Sequence, residues 1–364
     1  MALPNVDPSL YDAQLVDKKT AIERQFAEFK LPAIEVFESA RTAYRLRAEF
    51  RVWHEGDDLN YVMFKPGSKH EHSRLESCPM VSKTIQNVMF KLLDALRPNE
   101  LLRRRLFQVD FLSTLSGELL VSLLYHKPLD EAWTEEARKL KQQFGFDVIG
   151  RSRKTKIVLD RDFAIEKMHI DGRELIYKQV ENSFTQPNGG VCQHMLQWAL
   201  DITQGAGGDL VELYCGNGNF TMALAPNFNS VVATEIAKVS VRAAEYNIEA
   251  NNIDNVTVLR MSSEEFSQAL QGVREFRRLQ ERNLDLNSYD FTTVLVDPPR
   301  SGLDDETVKQ VAEYHNIVYI SCNPDTLVDN LRELTKTHRI ERFAIFDQFP
   351  YTHHLESGVY LTRK

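Results

Sequence analysis

From about residue 188 the chain repeats one pattern: a short apolar, β-branched run, a polar or glycine-bearing loop, then a helical stretch. The runs are DLVELYC (209–215), SVVATEI (230–236), VTVLRM (256–261), TTVLVDPP (292–299) and NIVYISCNP (316–324). Helical patterns such as VSVRAAEYNIEANN (239–252) separate them. Strands separated by helices pair in parallel through right-handed crossovers, so the pattern predicts an α/β, Rossmann-like sheet with helices on both faces. Two last strands, 340–350 and 358–364, have no helix between them and are expected to form an antiparallel hairpin on the sheet's edge. The expected total is seven strands, mostly parallel.

The N-terminal half reads differently. A helix is expected within 13–29, then strands at 44–55, 60–65, 106–115 and 118–126, with a turn at Glu55-Gly56-Asp57-Asp58 between the first two. Helices at 84–96 and 130–144 complete an α+β domain. A length of 364 residues suits two domains, placed at 1–180 and 181–364.

Composition narrows the class. With 43% apolar and 26% charged residues this is an ordinary globular chain. No apolar run approaches the length of a membrane span. The N-terminus lacks the basic-then-apolar order of a secretory signal, so a cytoplasmic location is expected. Cys78, Cys192, Cys215 and Cys322 are scattered, with no CxxC pair, so neither a cysteine-built zinc or iron–sulfur site nor a disulfide framework is expected. His70 and His72 lack metal-ligand partners at helical spacing and read as surface residues, and no metal is expected. A net charge of -8 argues against unspecific nucleic-acid binding, but local patches decide binding. The basic runs at 103–105 and 151–156, taken alone, read as solvated surface.

Ligands of doubly wound sheets sit at the carboxyl ends of the strands. The first strand ends in ELYCGNGNF, where Gly216 and Gly218 let the backbone turn tightly and approach a ligand. A dinucleotide fingerprint needs a third glycine at 221, and that position is Thr221. A cofactor without a pyrophosphate fits better. Glu235, at the tip of the second strand, suits the paired hydroxyls of a ribose. SSEEF (262–266) follows the third strand with polar groups for an adenine edge, and Asp297-Pro298-Pro299-Arg300 follows the fourth. Glycine turn, acidic tip and DPP loop, in that order, are the layout of an S-adenosylmethionine site.

The fifth strand delivers Cys322 to the same edge, ahead of Asn323-Pro324 and an apparent helix. A free cysteine is most often a small buried hydrophobe. Methylating a nitrogen or a hydroxyl needs no thiol. Carbon 5 of a pyrimidine is a poor nucleophile, and a thiolate adding to carbon 6 makes it reactive. Helix N-terminal amides and Arg300 are expected to favour the thiolate. Cys215, directly before the glycines, reads as packing.

These motifs carry a resemblance. ENSFTQPN (181–188), ELYCGNGNF (212–220), DPPRSG (297–302), YISCNP (319–324) and DQFPYTHHLESG (347–358) resemble the RNA uracil-5-methyltransferase family over nearly the whole chain. The resemblance implies Cys322 as nucleophile and Glu356 as the base that takes the carbon-5 proton. It also implies Gln186, Tyr214, Gly216, Asn219, Glu235 and Asp297 as contacts to S-adenosylmethionine. Ribosomal-RNA members of the family carry an added barrel and a cysteine-ligated iron–sulfur cluster, and this chain has neither the length nor the clustered cysteines. The tRNA branch is therefore implied, with the T-loop uridine as target and similar loops, such as that of tmRNA, as further substrates.

RNA would be gripped by the N-terminal domain through stacking and phosphate contacts. Phe107 is a candidate stacker, and Arg45, Arg47 and Arg51 alternate along one strand face as phosphate contacts, with a core phenylalanine and a solvated sheet face as the competing readings. Arg300 would support the nucleophile or the target base, and His353 and His354 lie where they could orient substrate. The expected partner is the tRNA T-arm, with no membrane and no obligate protein partner. A nitrogen-directed methyltransferase, and an RNA-binding protein with a vestigial cofactor site, are the alternatives, neither of which needs Cys322.

Overall fold

The protein is described from a computed structural model covering residues 6–64, 67 and 71–364; His70 and Lys65 lie outside these residues. Two compact units emerge, and they do not follow the single boundary expected at 180. One comprises residues 40–167 and 179–189 together with the described residues before 10; the other comprises 10–39, 168–178 and 190–364.

The second unit is built on an eight-stranded sheet. Its strands in chain order are β1 (Ile34–Phe37), β2 (Asp209–Leu213), β3 (Val231–Thr234), β4 (Val256–Leu259), β5 (Phe291–Val296), β6 (Asn316–Ser321), β7 (His338–Phe346) and β8 (Glu356–Arg363). Across the sheet they run β1, β7, β8, β6, β5, β2, β3, β4. All neighbours are parallel except β8, which is antiparallel to both β7 and β6. Strands β2 and β6 are buried along their whole length, as central parallel strands covered on both faces must be. The order reverses between β2 and β5, which opens the crevice where such sheets bind ligands.

Two expectations need correction. The sheet has eight strands, not seven, because Ile34–Phe37 adds a parallel strand. The C-terminal hairpin is therefore not the edge: β8 inserts between β6 and β7, and β1 covers β7. A four-residue strand carries too little alternation to be legible, and its partner lies about 300 residues downstream. The helix Tyr11–Gln25 belongs to this unit as well. Ile22 and the following Phe26 join the core formed by Val211, Leu213, Ile317 and Phe343, so the helix's apolar face is answered by this sheet.

The first unit holds a seven-stranded sheet in the order His72–Arg74, Asp58–Phe64, Arg47–Glu55, Leu106–Ser113, Leu119–Tyr125, Asp147–Ser152, Thr155–Val158. The hairpin turn expected at 55–58 is present, with Glu55 opposite Asp58. The basic run 151–156 is itself a hairpin turn, with Arg151 paired to Lys156, which charge alone did not reveal. Burial alternates along Arg47–Glu55, with Ala48, Phe50 and Val52 inside and Glu49 and Arg51 outside. Arg47 shares the outward side but is half-buried, its guanidinium donating to the Ser183 carbonyl at 2.5 Å. Arg45 precedes the strand and turns its side chain back to the Arg47 carbonyl.

Candidate active site

The carboxyl edge of the eight-stranded sheet gathers the loops after β2, β3, β5 and β6. After β2 the chain bends through Tyr214, held at φ +63, a left-handed conformation costing a non-glycine residue roughly 1–2 kcal/mol. Its hydroxyl is hydrogen-bonded to that of Ser263 at 2.9 Å. Gly216 follows at φ +57, and a Cβ there would project into open space, so the bare backbone faces the crevice. The Gly216 N–H donates to Glu235 Oε2 at 3.1 Å and the Ala237 N–H to Oε1 at 2.7 Å, which fixes the Glu235 carboxylate at the tip of β3. Asn219 opens the next helix, and the Tyr177 hydroxyl donates to its carbonyl at 3.0 Å.

Thr221, where a dinucleotide fingerprint has glycine, has a specific task. Its hydroxyl donates to Oε2 of the buried Glu212 at 2.5 Å. Burial pushes the Glu212 carboxyl up to about 8, with Asp297 adding to the rise. A group raised in the folded state contributes stability that is full below its unfolded value, about 4.3, and lost as pH climbs through about 8. Thr221→Val is therefore expected to lower stability by about 1 kcal/mol at pH 6 and by more at pH 9. Thermal melts at the two pH values check this; equal losses would refute the coupling to Glu212.

Two of the SSEEF residues cap a helix. Ser262 and Glu265 form a reciprocal capping box on the helix Ser263–Leu270, and the Glu265 carboxylate also pairs with Arg278 at 3.1 Å.

After β5, Asp297 makes no hydrogen bond among the described residues, and burial pushes its carboxyl up to about 7. The loop that follows is clamped to the helix Pro324–Leu334. Asn330 Nδ2 donates to the Leu303 carbonyl and its Oδ1 accepts from the Leu303 N–H, both at 3.0 Å. Asn323 Nδ2 donates to the Arg300 carbonyl at 2.8 Å, while Asn323 Oδ1 caps the helix through the Asp325 N–H. With Pro324 in the first turn, Asn323 thus holds both the turn after Cys322 and the DPPR loop.

Cys322 and Glu356 meet through register. Antiparallel pairing of β6 with β8 runs from Asn316 opposite Thr362 to Ser321 opposite Ser357. Cys322 and Glu356 are the next residues on the two segments beyond that last pair, and the Glu356 charge acts on the Cys322 thiol. Cys322 is half-exposed, whereas Glu356 is 4% exposed and its Oε2 has no hydrogen-bond partner. Burial, with Asp297 adding, raises the Glu356 carboxyl well above the usual range, against an opposing pull from Arg300.

The thiol departs from expectation. Burial pushes Cys322 up to about 11, with Glu356 and Asp297 adding to it and Arg300 only partly offsetting them. The helix N-terminus after it does not outweigh two neighbouring carboxyls and desolvation. Arg300 itself is exposed. His354 is half-buried and lowered, chiefly by burial, and His353 is exposed. Cys215 is buried and raised well above its ordinary value, an inert packing thiol.

Gln186 lies in the other unit, where its Oε1 is buried without a hydrogen-bond partner. In that unit Phe107 stacks on His126 with centroids 3.9 Å apart, and the Arg51 guanidinium lies 5.5 Å from the Phe107 centroid. Phe107 and His126 line a cleft of about 700 Å³ with Arg151, Arg153 and Lys154. His126 was missed because nothing in the sequence around a lone histidine marks it; the adjoining strand register brings it to Phe107.

The residues fit a cationic, phosphate-free cofactor: a bare glycine turn, an oriented carboxylate at Glu235 and an unpaired one at Asp297. Among the described residues no group of three or more His, Cys, Asp or Glu could hold a metal ion.

Comparison with known proteins adds to this geometry. The family model described as tRNA (Uracil-5-)-methyltransferase matches residues 10–364. A tRNA/tmRNA (uracil-C(5))-methyltransferase of Vibrio parahaemolyticus is 56% identical over 369 residues, covering 100% of both chains. One of Shewanella loihica is 58% identical over 368 residues, again covering 100% of both. Among solved structures, the Pyrococcus abyssi tRNA (uracil-54, C5)-methyltransferase in complex with S-adenosyl-L-homocysteine aligns with a TM-score of 0.73. It is 21% identical, with 97% of this chain and 83% of that one covered, a likeness of fold.

Proposed function

The chain belongs to the tRNA (uracil-5-)-methyltransferase family, and from that premise we propose that it methylates carbon 5 of the T-loop uridine at position 54 of tRNA, giving 5-methyluridine, by covalent catalysis through Cys322 and Glu356. The observation that carries this reading is the nearness of a half-exposed thiol, just past the end of β6, to a buried carboxyl at the start of β8, its neighbouring strand, at the carboxyl edge of the sheet. A methyl transfer to nitrogen or oxygen has no use for that pair.

The Cys322 thiol gives up its proton to solvent, the thiolate sulfur bonds to carbon 6 of the uracil, and the electron pair of the 5,6 double bond moves toward carbon 5 and the neighbouring carbonyl. The chemistry that S-adenosylmethionine supplies when bound is an electrophilic methyl group on a sulfonium. Glu356 then takes the carbon-5 proton, the double bond re-forms and the sulfur leaves carbon 6. Burial makes the Glu356 carboxylate a stronger base than an exposed one, which suits this step. Arg300 is assigned to the thiolate or the target base, where its charge opposes the two carboxyls. Tyr214, Gly216, Asn219, Glu235 and Asp297 are assigned to the cofactor. Gln186 is assigned there on the family resemblance alone.

RNA recognition is assigned to the unit of residues 40–167 and 179–189, with Phe107 and His126 as a stacking platform and Arg47 and Arg51 toward phosphates. Stacking of a base on an aromatic contributes about 1–3 kcal/mol. Phe107→Ala is therefore expected to raise the KM for tRNA by about tenfold with little change in kcat. An unchanged KM would remove Phe107 from RNA recognition. A T-loop-like site in tmRNA is proposed as a second substrate, a reading supported by relatives named for both tRNA and tmRNA. The cytoplasm is the proposed location; among the described residues no helix is long and apolar enough to cross a membrane.

The test of the thiol reading is tRNA substituted with 5-fluorouridine, mixed with enzyme and S-adenosylmethionine and run on a denaturing gel. Fluorine cannot leave as a proton, so the adduct stays trapped and migrates as a protein–RNA band. Active methylation of ordinary tRNA without such a band would sink the mechanism.

A further inference from the structure

One buried ammonium in this protein lies outside the proposed chemistry and yet touches the segment that leads into it. Lys18, on the N-terminal helix Tyr11–Gln25, is 8% exposed. Its Nζ donates to Asp347 Oδ1 at 2.6 Å, to the Phe349 carbonyl at 3.0 Å and to the His354 carbonyl at 2.9 Å. A lysine ammonium has three donors and no acceptor, so all three are used. The acceptors are not neighbours in sequence. Asp347 and Phe349 stand at the start of the connection between β7 and β8, and His354 stands near its end, two residues before Glu356. One cation therefore pins both legs of the loop that presents the base.

The same helix reinforces the arrangement from other positions. Asp347 is fully buried, and its Oδ2 accepts from Gln14 Nε2 at 3.0 Å. Its backbone N–H donates to the Phe37 carbonyl of β1 at 3.0 Å. The Tyr11 ring meets the Tyr351 ring edge-on at 6.0 Å, at the middle of the loop, where Tyr351 sits at φ +61. Further along, Gln25 Nε2 donates to Asp325 Oδ1 at 2.6 Å, in the first turn of the helix that begins directly after Cys322-Asn323. The N-terminal segment thus braces both members of the catalytic pair, and the loop before Glu356 most closely.

We propose that Lys18 is a positioning residue for Glu356: by holding Asp347, Phe349 and His354 together it fixes the loop that aims the base, and its loss slows removal of the carbon-5 proton without impairing attack by Cys322. The inference rests on the reading of Glu356 as that base. The two steps depend on different groups. Cys322 is held by β6 and by the Asn323 clamp, neither of which involves Lys18. Only the second leg of the pair is carried by the loop.

A base displaced by about 1 Å loses about 100-fold in rate. Lys18→Met is therefore expected to reduce steady-state methylation of tRNA by about 100-fold. With fluorouridine-substituted tRNA, where proton removal is blocked in any case, its covalent band should form at a rate within about twofold of the parent's. With ordinary tRNA and methyl-labelled S-adenosylmethionine, the variant should accumulate a labelled protein–RNA band that the parent does not. Lys18→Met strands the Asp347 charge, so the double variant Lys18→Met/Asp347→Asn is measured beside it; it removes both charges while still lacking the bridge to Phe349 and His354. The same split is expected of it. Turnover within twofold of the parent in a folded variant overturns the proposal. So does a parallel fall of turnover and trapped adduct, which would mean a general packing role. A parent enzyme that methylates but traps nothing fails the thiol reading instead, so the two failures are distinguishable.

Discussion

Cys322→Ser is expected to lower tRNA methylation by about 10⁴-fold or more and to abolish the trapped band with fluorouridine-substituted tRNA. A hydroxyl of this size fits the half-exposed position and keeps the turn held by Ser321, Asn323 and Pro324, so the fold should be unchanged. Titration calorimetry with S-adenosylmethionine should give the parent affinity, because none of the residues assigned to the cofactor is Cys322 or lies on the loop after β6. Residual activity within tenfold of the parent would mean that sulfur does not attack the ring, and would favour transfer to nitrogen. Loss of cofactor binding together with activity would point to misfolding.

Glu356→Gln is expected to behave in the opposite sense at one step and in the same sense overall. Turnover should fall by about 10³-fold, within the range for losing a general base. The methylated adduct on ordinary tRNA, labelled through the methyl group, should persist on a denaturing gel. Two further readouts follow from the electrostatics. The Glu356 carboxylate helps push Cys322 up to about 11, so its removal should lower the thiol and move the pH profile of adduct formation with fluorinated tRNA toward lower pH. Burial raises the Glu356 carboxyl, so in the folded state it contributes stability that is lost as pH rises above its unfolded value, and a neutral glutamine avoids that loss. The variant should therefore melt higher than the parent at pH 8, with the difference shrinking toward pH 4. A variant that turns over normally, or one that leaves the pH profile of the adduct in place, would remove Glu356 from its role. This is the familiar exchange of stability for activity at a site that keeps a charge where water is excluded.

Much of the catalytic unit was legible because its signals are local. Strand runs such as NIVYIS, the glycine turn at 216–218 and the helix start after Asn323 are written in a few consecutive residues, and the structure has them where the pattern indicates. Thr221 was legible only as a departure from a fingerprint. Its partner Glu212 lies nine residues back on β2, and the bond between them exists because strand and helix pack face to face. The stacking of His126 on Phe107 escaped for a similar reason, since His126 follows directly on a strand paired with the one that carries Phe107 and shares no motif with it.

The sequence by itself determined the α/β alternation, the crevice at the carboxyl ends of the strands, and the delivery of Cys322 to that edge, because periodicity and turn chemistry are properties of short segments. Glu356 entered through family resemblance, not through any local pattern. What only the tertiary structure decided is partnership. The last strand slides between β6 and β7 with a register that starts Glu356 beside the end of β6, next to Cys322, and the first helix crosses the chain's full length to hold the loop before it through Lys18. Those pairings are chosen by burial of whole faces across hundreds of residues. The same burial raised the thiol that local reasoning expected to be lowered.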